Sequence, residues 1–305
     1  MGSIEVEHYP FKTNEPEHII ENAVFVQMKK LVDEPIFELS DKESILQWLQ
    51  KHFLKARFMF LDEEYLRTSG LKNANLFYHG KEHAVYQTTY DAITVTRAIL
   101  SREDRLSSHL SADGVVAIVL AAMYHDAGFV YQKNLLMNFA GISPFHVEES
   151  KRAAMESLKH PLEPPYPLDT EKIRKFVLIG IHRTYFPYNQ ERKEEEKKLI
   201  DELLRADKKE AQIIGLAVQF ADLGGQTARI DQNPHGLIRL RDEMNAWIPN
   251  LGTKAIGEDH ELETKRREFI EFVVKKTVGK TGNAFFKTYD HIFAREWSRA
   301  LAPSR

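Results

Sequence analysis

The stretch DGVVAIVLAAMYHDAGF, residues 113–129, is apolar from Val115 to Met123 and then turns abruptly to His125-Asp126. A helix that is apolar on nearly all sides must be surrounded by other elements, so Asp113 to Tyr124 predicts a buried central helix. Its apolar run is far shorter than the roughly 20 residues that cross a bilayer. An ionised Asp beside His at the end of such a helix is costly unless something positive neutralises it. Successive helical residues diverge by about 100°, so the pair can approach one centre from two sides. The competing reading is a capping pair, with Asp126 bonded to nearby backbone.

The neighbouring segments are helical in their spacing too. Residues 42–55 put Ile45, Leu46, Leu49, Phe53 and Leu54 on one face, with Ser40 or Asp41 as N-cap. Residues 83–100 carry Val85, Ala92, Ile93, Val95 and Ile99 at helical spacing. Ser143-Pro144 reads as a helix start, with Ser at the N-cap and Pro in the first turn. Thr170 opens a helix through Ile173, Val177 and Ile181, and a further one through Ile214, Val218 and Ala221 is expected to stop at Gly224-Gly225. The charge run ERKEEEKK, residues 191–198, reads as a solvated helix face. Strand alternation is scarce. The expected class is all-α, with a core over 71–240, an N-terminal helical extension over 1–70 and a C-terminal extension over 241–305 packed on the core.

Composition narrows the function. The 305 residues hold 42 Lys plus Arg against 45 Asp plus Glu, a net charge of −3, with no basic stripe for nucleic acid. There is no cysteine, which excludes disulfides, a thiolate nucleophile, an iron–sulfur cluster and Cys-ligated zinc. The amino terminus MGSIEVEHYP lacks a basic-then-apolar signal pattern, so a cytoplasmic protein without membrane segments is expected. The amphipathic segment LETKRREFIEFVVKK from Leu262 can pack internally or against a second copy, leaving a homo-oligomer open.

Of the 13 histidines, His79, His83, His125, His146 and His182 stand apart, each on or at the end of an apolar helical segment. His79 and His83 are four apart in YHGKEHAVYQT, hence neighbours on a helix face. His146 falls in the first turn of its helix (SPFHVEES), and His182 ends an apolar face in LIGIHRT. Asp222 in VQFADLGG is a carboxylate on an apolar helix that needs a partner.

This ordered set, H…HD…H…H…D on consecutive helices, resembles the HD-domain superfamily of metal-dependent phosphohydrolases over about Phe77 to Thr227. YHGKEHA is similar to the YHNxxHA segment of cyclic nucleotide phosphodiesterases, and ADLGGQT to their ADLSNPT-like segment. HDAGF followed by HVEESKRAA looks like the HD and H-x-E-x-S segments of bacterial HD proteins. Two features depart from particular subfamilies: Phe129 stands where the mammalian-type phosphodiesterases have the second His of HDxxH, and a GYP motif is absent.

The resemblance implies an HD-domain helical bundle in which His83, His125, Asp126 and Asp222 surround a first metal. His146 and His182 would add a second, bridged by Asp126. Imidazole and carboxylate donors without thiolate suit two divalent ions drawn from Fe, Mn, Zn, Co, Ni or Mg. Such a pair clamps a phosphoryl group and activates water. His79 would then be placed to protonate the leaving oxygen, while Lys81 and Arg183, with Arg229, lie beside presumed ligands where they can hold phosphate oxygens. The expected activity is metal-dependent hydrolysis of a phosphoester in a nucleotide or other small phosphorylated metabolite.

Three rivals remain. HD-type di-iron oxygenases use a similar shell on small organic substrates, and a non-catalytic HD module would sense a nucleotide without turnover. The segment from His79 to His83 also fits the H-x-x-E-H protease pattern, with Glu82 as base. That last reading leaves His125, Asp126, His182 and Asp222 unexplained.

Overall fold

The computed structural model describes residues 15–68, 80–101, 109–129, 145–159, 162–185 and 190–227, with isolated positions beyond 240. Along them run α1 (Glu17–Val32), α2 (Lys42–Thr68), a π-helical turn (Glu82–Gln87), α3 (Thr88–Leu100), α4 (Ala112–Tyr124), a 3-10 turn (Ala127–Phe129), α5 (Phe145–Ser157), α6 (Thr170–His182), α7 (Gln190–Asp201) and α8 (Asp207–Thr227). No strand occurs among the described residues, in agreement with the all-α expectation.

The central helix is α4. Every residue from Gly114 to Tyr124 is buried, and each large aliphatic side chain there contributes about 1.5–3 kcal/mol by leaving water. By length and composition Ala112–Phe129 would qualify as a membrane span, yet 89% of it is buried inside this bundle, which makes it a core helix here.

One lysine organises the helices around α4. Lys172, in the first turn of α6, places its Nζ 3.2 Å from Asp207 and 3.2 Å from Glu210 on α8, and 3.9 Å from Asp113 on α4. Glu210 also accepts from the Ser111 backbone N–H (2.5 Å) and hydroxyl (2.6 Å), passing over Gly114, where a Cβ would collide with it. Asp169 caps α6 by accepting from the Glu171 and Lys172 N–H groups, while its own N–H donates to Asp113 (2.9 Å). The starts of α4, α6 and α8 are therefore tied together, and the three run parallel. His125, His182 and Asp222 lie 12 to 15 residues further along, roughly 20 Å at 1.5 Å per residue, so the fold carries them to one level. The turn before α3 and the first turn of α5 meet that same end.

The first two helices belong to the same core: Val24, Met28 and Leu31 of α1 and Leu49 and Phe53 of α2 are fully buried in one cluster with α4 and α6. His52 of α2, with no exposed surface, accepts at Nδ1 from the Tyr124 hydroxyl (3.0 Å) and donates from Nε2 to the Leu162 carbonyl (3.1 Å).

Three sequence expectations change. The helix expected over 42–55 continues to Thr68. The segment expected as one helix over 83–100 begins with a π-helical turn. The stop expected at Gly224-Gly225 is absent, because α8 runs on to Thr227; glycine permits a helix end without imposing one. The run 191–198 is a mostly exposed helix as expected, apart from Glu196, which is buried against Arg183. Ser143-Pro144 and nearly all of 241–305 lie outside the described residues.

Candidate metal centre

His83, His125 and Asp126 bring one ligand atom each within 4.8 Å of one another, all buried. The His125 Nε2 lies 3.1 Å from Asp126 Oδ2 and 3.4 Å from Asp222 Oδ1. The His83 Nε2 lies 3.3 Å from the same Asp222 oxygen and 3.7 Å from Asp126 Oδ2. Donors about 2.1 Å from a tetrahedral metal stand about 3.4 Å apart, and about 3.0 Å apart in an octahedral one. The four separations all exceed the octahedral value and bracket the tetrahedral one.

Each side chain is aimed by its element. His125 directly follows α4, and its Nδ1 donates to the Ala122 carbonyl (2.8 Å), which fixes the tautomer and turns the Nε2 lone pair toward the carboxylates. That Nε2 is buried and makes no well-aligned hydrogen bond despite the oxygens around it, as expected of an atom built to ligate. The π-helical turn carries His83, whose carbonyl accepts from the Thr88 hydroxyl (2.8 Å); the two ligand rings meet edge to face at 5.6 Å. Such turns inside helices are frequent at functional sites.

The electrostatics ask for a cation. Asp126 and Asp222 expose only 6% and 13% of their side chains, so two carboxylates sit side by side in a nearly dry pocket. Burial opposes a charge on His125, but Asp126 and Asp222 outweigh it and raise its pKa well above the usual histidine range. Burial likewise pushes against ionised Asp222, and His125 more than compensates, holding its carboxyl below the usual value. A proton on His125 leaves the cluster at −1; a divalent cation with neutral histidines brings it to zero. The nitrogen and oxygen donor set fits Zn, Fe, Mn, Co or Ni.

The remaining expected residues divide. His146 turns its Nε2 toward the other Asp126 oxygen, Oδ1, at 4.0 Å, and its ring stacks on Phe129 at 4.3 Å. His182 does not join the cluster: its Nδ1 accepts from Lys151 (2.9 Å) and its Nε2 donates to the Arg192 carbonyl (2.9 Å), so both nitrogens are engaged. Burial first, then Lys151, lowers its pKa. Lys81, expected near phosphate, instead pairs with Glu17 of α1 at 2.7 Å. Arg183, assigned the same role, ties α6 to α7 and α8 through Glu196 (2.8 Å) and Gln219 (3.2 Å). His79 and Arg229 lie outside the described residues.

Sequence reasoning missed Lys151 and Glu17. Lys151 is bound to Glu148 (2.7 Å) and lies over the Tyr185 ring, and no local motif marks it. Glu17 meets its partners from 40 to 69 positions away, a separation that carries no sequence signal.

No model of a known protein family matches the chain, and no curated protein matches it. The centre therefore stands on its own geometry.

Proposed function

We propose that this chain is a metal-dependent phosphohydrolase of the HD-domain type, acting on a nucleotide or another small phosphorylated metabolite. The observation that carries the reading is the buried convergence of His83, His125, Asp126 and Asp222 at 3.1–3.7 Å, in the order the HD resemblance implies. A divalent cation held there supplies Lewis acidity toward a phosphoryl oxygen and acidifies water at neutral pH. The protein's own part is to keep the donors ready. His125 is locked in one tautomer by Ala122, and Asp126 reaches the two histidines with Oδ2 while Oδ1 faces His146. That division of one carboxylate between two directions supports a second ion on the His146 side. His79 retains the role of proton donor to the leaving oxygen that the resemblance gives it.

Hydrolysis of bis(p-nitrophenyl) phosphate, p-nitrophenyl phosphate and a panel of cyclic and linear nucleotides, with Mn²⁺, Fe²⁺ or Zn²⁺ supplied, tests this. Turnover of at least one phosphoester is expected, lost in Asp126→Ala while the helical circular dichroism persists. Silence across the panel by metal-loaded protein contradicts the hydrolase, and iron-dependent dioxygen uptake on an organic substrate would replace it with the oxygenase.

A further inference from the structure

Glu17, in the first turn of α1, gathers three donors on a single carboxylate oxygen. Lys81 Nζ lies 2.7 Å from its Oε1, the Tyr86 hydroxyl 2.5 Å and Arg57 Nε 3.3 Å. Arg57 also binds Glu21 one turn along α1, at 2.8 Å. Two carboxylates and two cations balance, around the hydroxyl of a tyrosine that is almost wholly buried. Burial would raise the Glu17 pKa, yet the hydrogen bonds from Lys81, Tyr86 and Arg57 outweigh it and lower it to about 2.

Lys81 and Tyr86 bracket His83. Lys81 is the residue that opens the π-helical turn and has no side-chain cap bond of its own there, and Tyr86 is the fifth residue after it. Residues five apart stand about 140° apart around an α-helix, too far to share one acceptor. In a π-helical turn, where bonding runs from i to i+5, they come onto the same face. A single oxygen that accepts from both therefore selects the π register over the α register. If the turn relaxed to α geometry, His83 would rotate away from Asp222, because the extra residue of the π turn sets the direction in which that ring leaves the backbone.

We infer that Glu17 is a positioning residue for the metal centre: by holding Lys81 and Tyr86 on one side of the π-helical turn, α1 keeps His83 directed at Asp126 and Asp222 on the other. The inference rests on the metal-binding part of the proposed function and makes the N-terminal helix a working part of the site.

Cobalt binding tests it, because Co²⁺ reports affinity and, through its visible absorption, the ligand set. Glu17→Ala is expected to bind Co²⁺ about tenfold more weakly, the lower end of what outlying supports of metal ligands contribute, with an altered spectrum. Glu17→Gln, which keeps an acceptor oxygen, should recover part of both. Asp33→Ala, which breaks an exposed ion pair at the C-terminal end of α1, should change neither. Should Glu17→Ala fail to fold, Tyr86→Phe removes one of the three donors while keeping the ring, and the same weakening and spectral change are expected. A Glu17→Ala protein that melts lower but binds Co²⁺ with wild-type affinity and spectrum would overturn the inference alone. A wild-type protein that binds no Co²⁺ would overturn the metal reading and this inference together.

Discussion

His125 and His52 show how burial gives histidines opposite tasks. Beside Asp126 and Asp222, burial is overruled and the His125 pKa stands well above the usual histidine range. Beside a tyrosine hydroxyl and a backbone carbonyl, burial wins, and the His52 pKa falls from 6.5 to about 4. The folded imidazole then titrates below the unfolded one, so between pH 6.5 and 4 the unfolded chain binds the extra proton. Stability should fall as pH is lowered through that window, by at most about 3 kcal/mol. Urea midpoints at pH 7 and pH 5 measure this, and His52→Gln should flatten the difference; an equal slope in the variant would refute the assignment. His125-Asp126 was legible in the sequence because a charged pair ending an all-apolar helix is a visible anomaly. His52 was not, since its setting on α2 looks polar and its partners come from 72 and 110 positions away.

Element by element, what could be read was periodicity, and what could not was where periodicity is deliberately broken. The 3.6-residue spacing located α4 and α6 to within a residue or two of their observed starts. The π-helical turn escaped, because its one-residue insertion leaves the apolar pattern of 83–100 almost intact. The same holds for the close approach of the 3-10 turn to α5. Gly128 donates its N–H to the Ser150 hydroxyl (2.8 Å), and a Cβ on it would overlap the His146 carbonyl oxygen and crowd the Ser150 backbone nitrogen. These are backbone atoms that cannot swing aside. Gly128→Ala is expected to cost about 3 kcal/mol in chemical denaturation, because α5 must be pushed off the turn that follows Asp126. An unchanged midpoint would show that α5 yields freely and that His146 is loosely placed.

For the whole molecule, three parallel helices tied at Lys172 carry their far ends to a common level, where α3 and α5 begin. That His83, His125 and Asp126 share a buried cluster was legible in the sequence, because each stands on or at the end of an apolar helical segment. Where Lys81 and Arg183 settle was not legible, because both find carboxylate partners that only the packed bundle reveals. His182 likewise sits at the expected level with its ring turned to Lys151 and Arg192. The central claim is that the buried His83, His125, Asp126 and Asp222 cluster is a metal centre. Elemental analysis of protein purified without chelator, alongside Asp222→Asn, tests it most directly. At least one transition-metal ion per chain is predicted, lost in the variant while its helical content stays. Metal-free wild-type protein that also takes up no ion on titration would contradict the account.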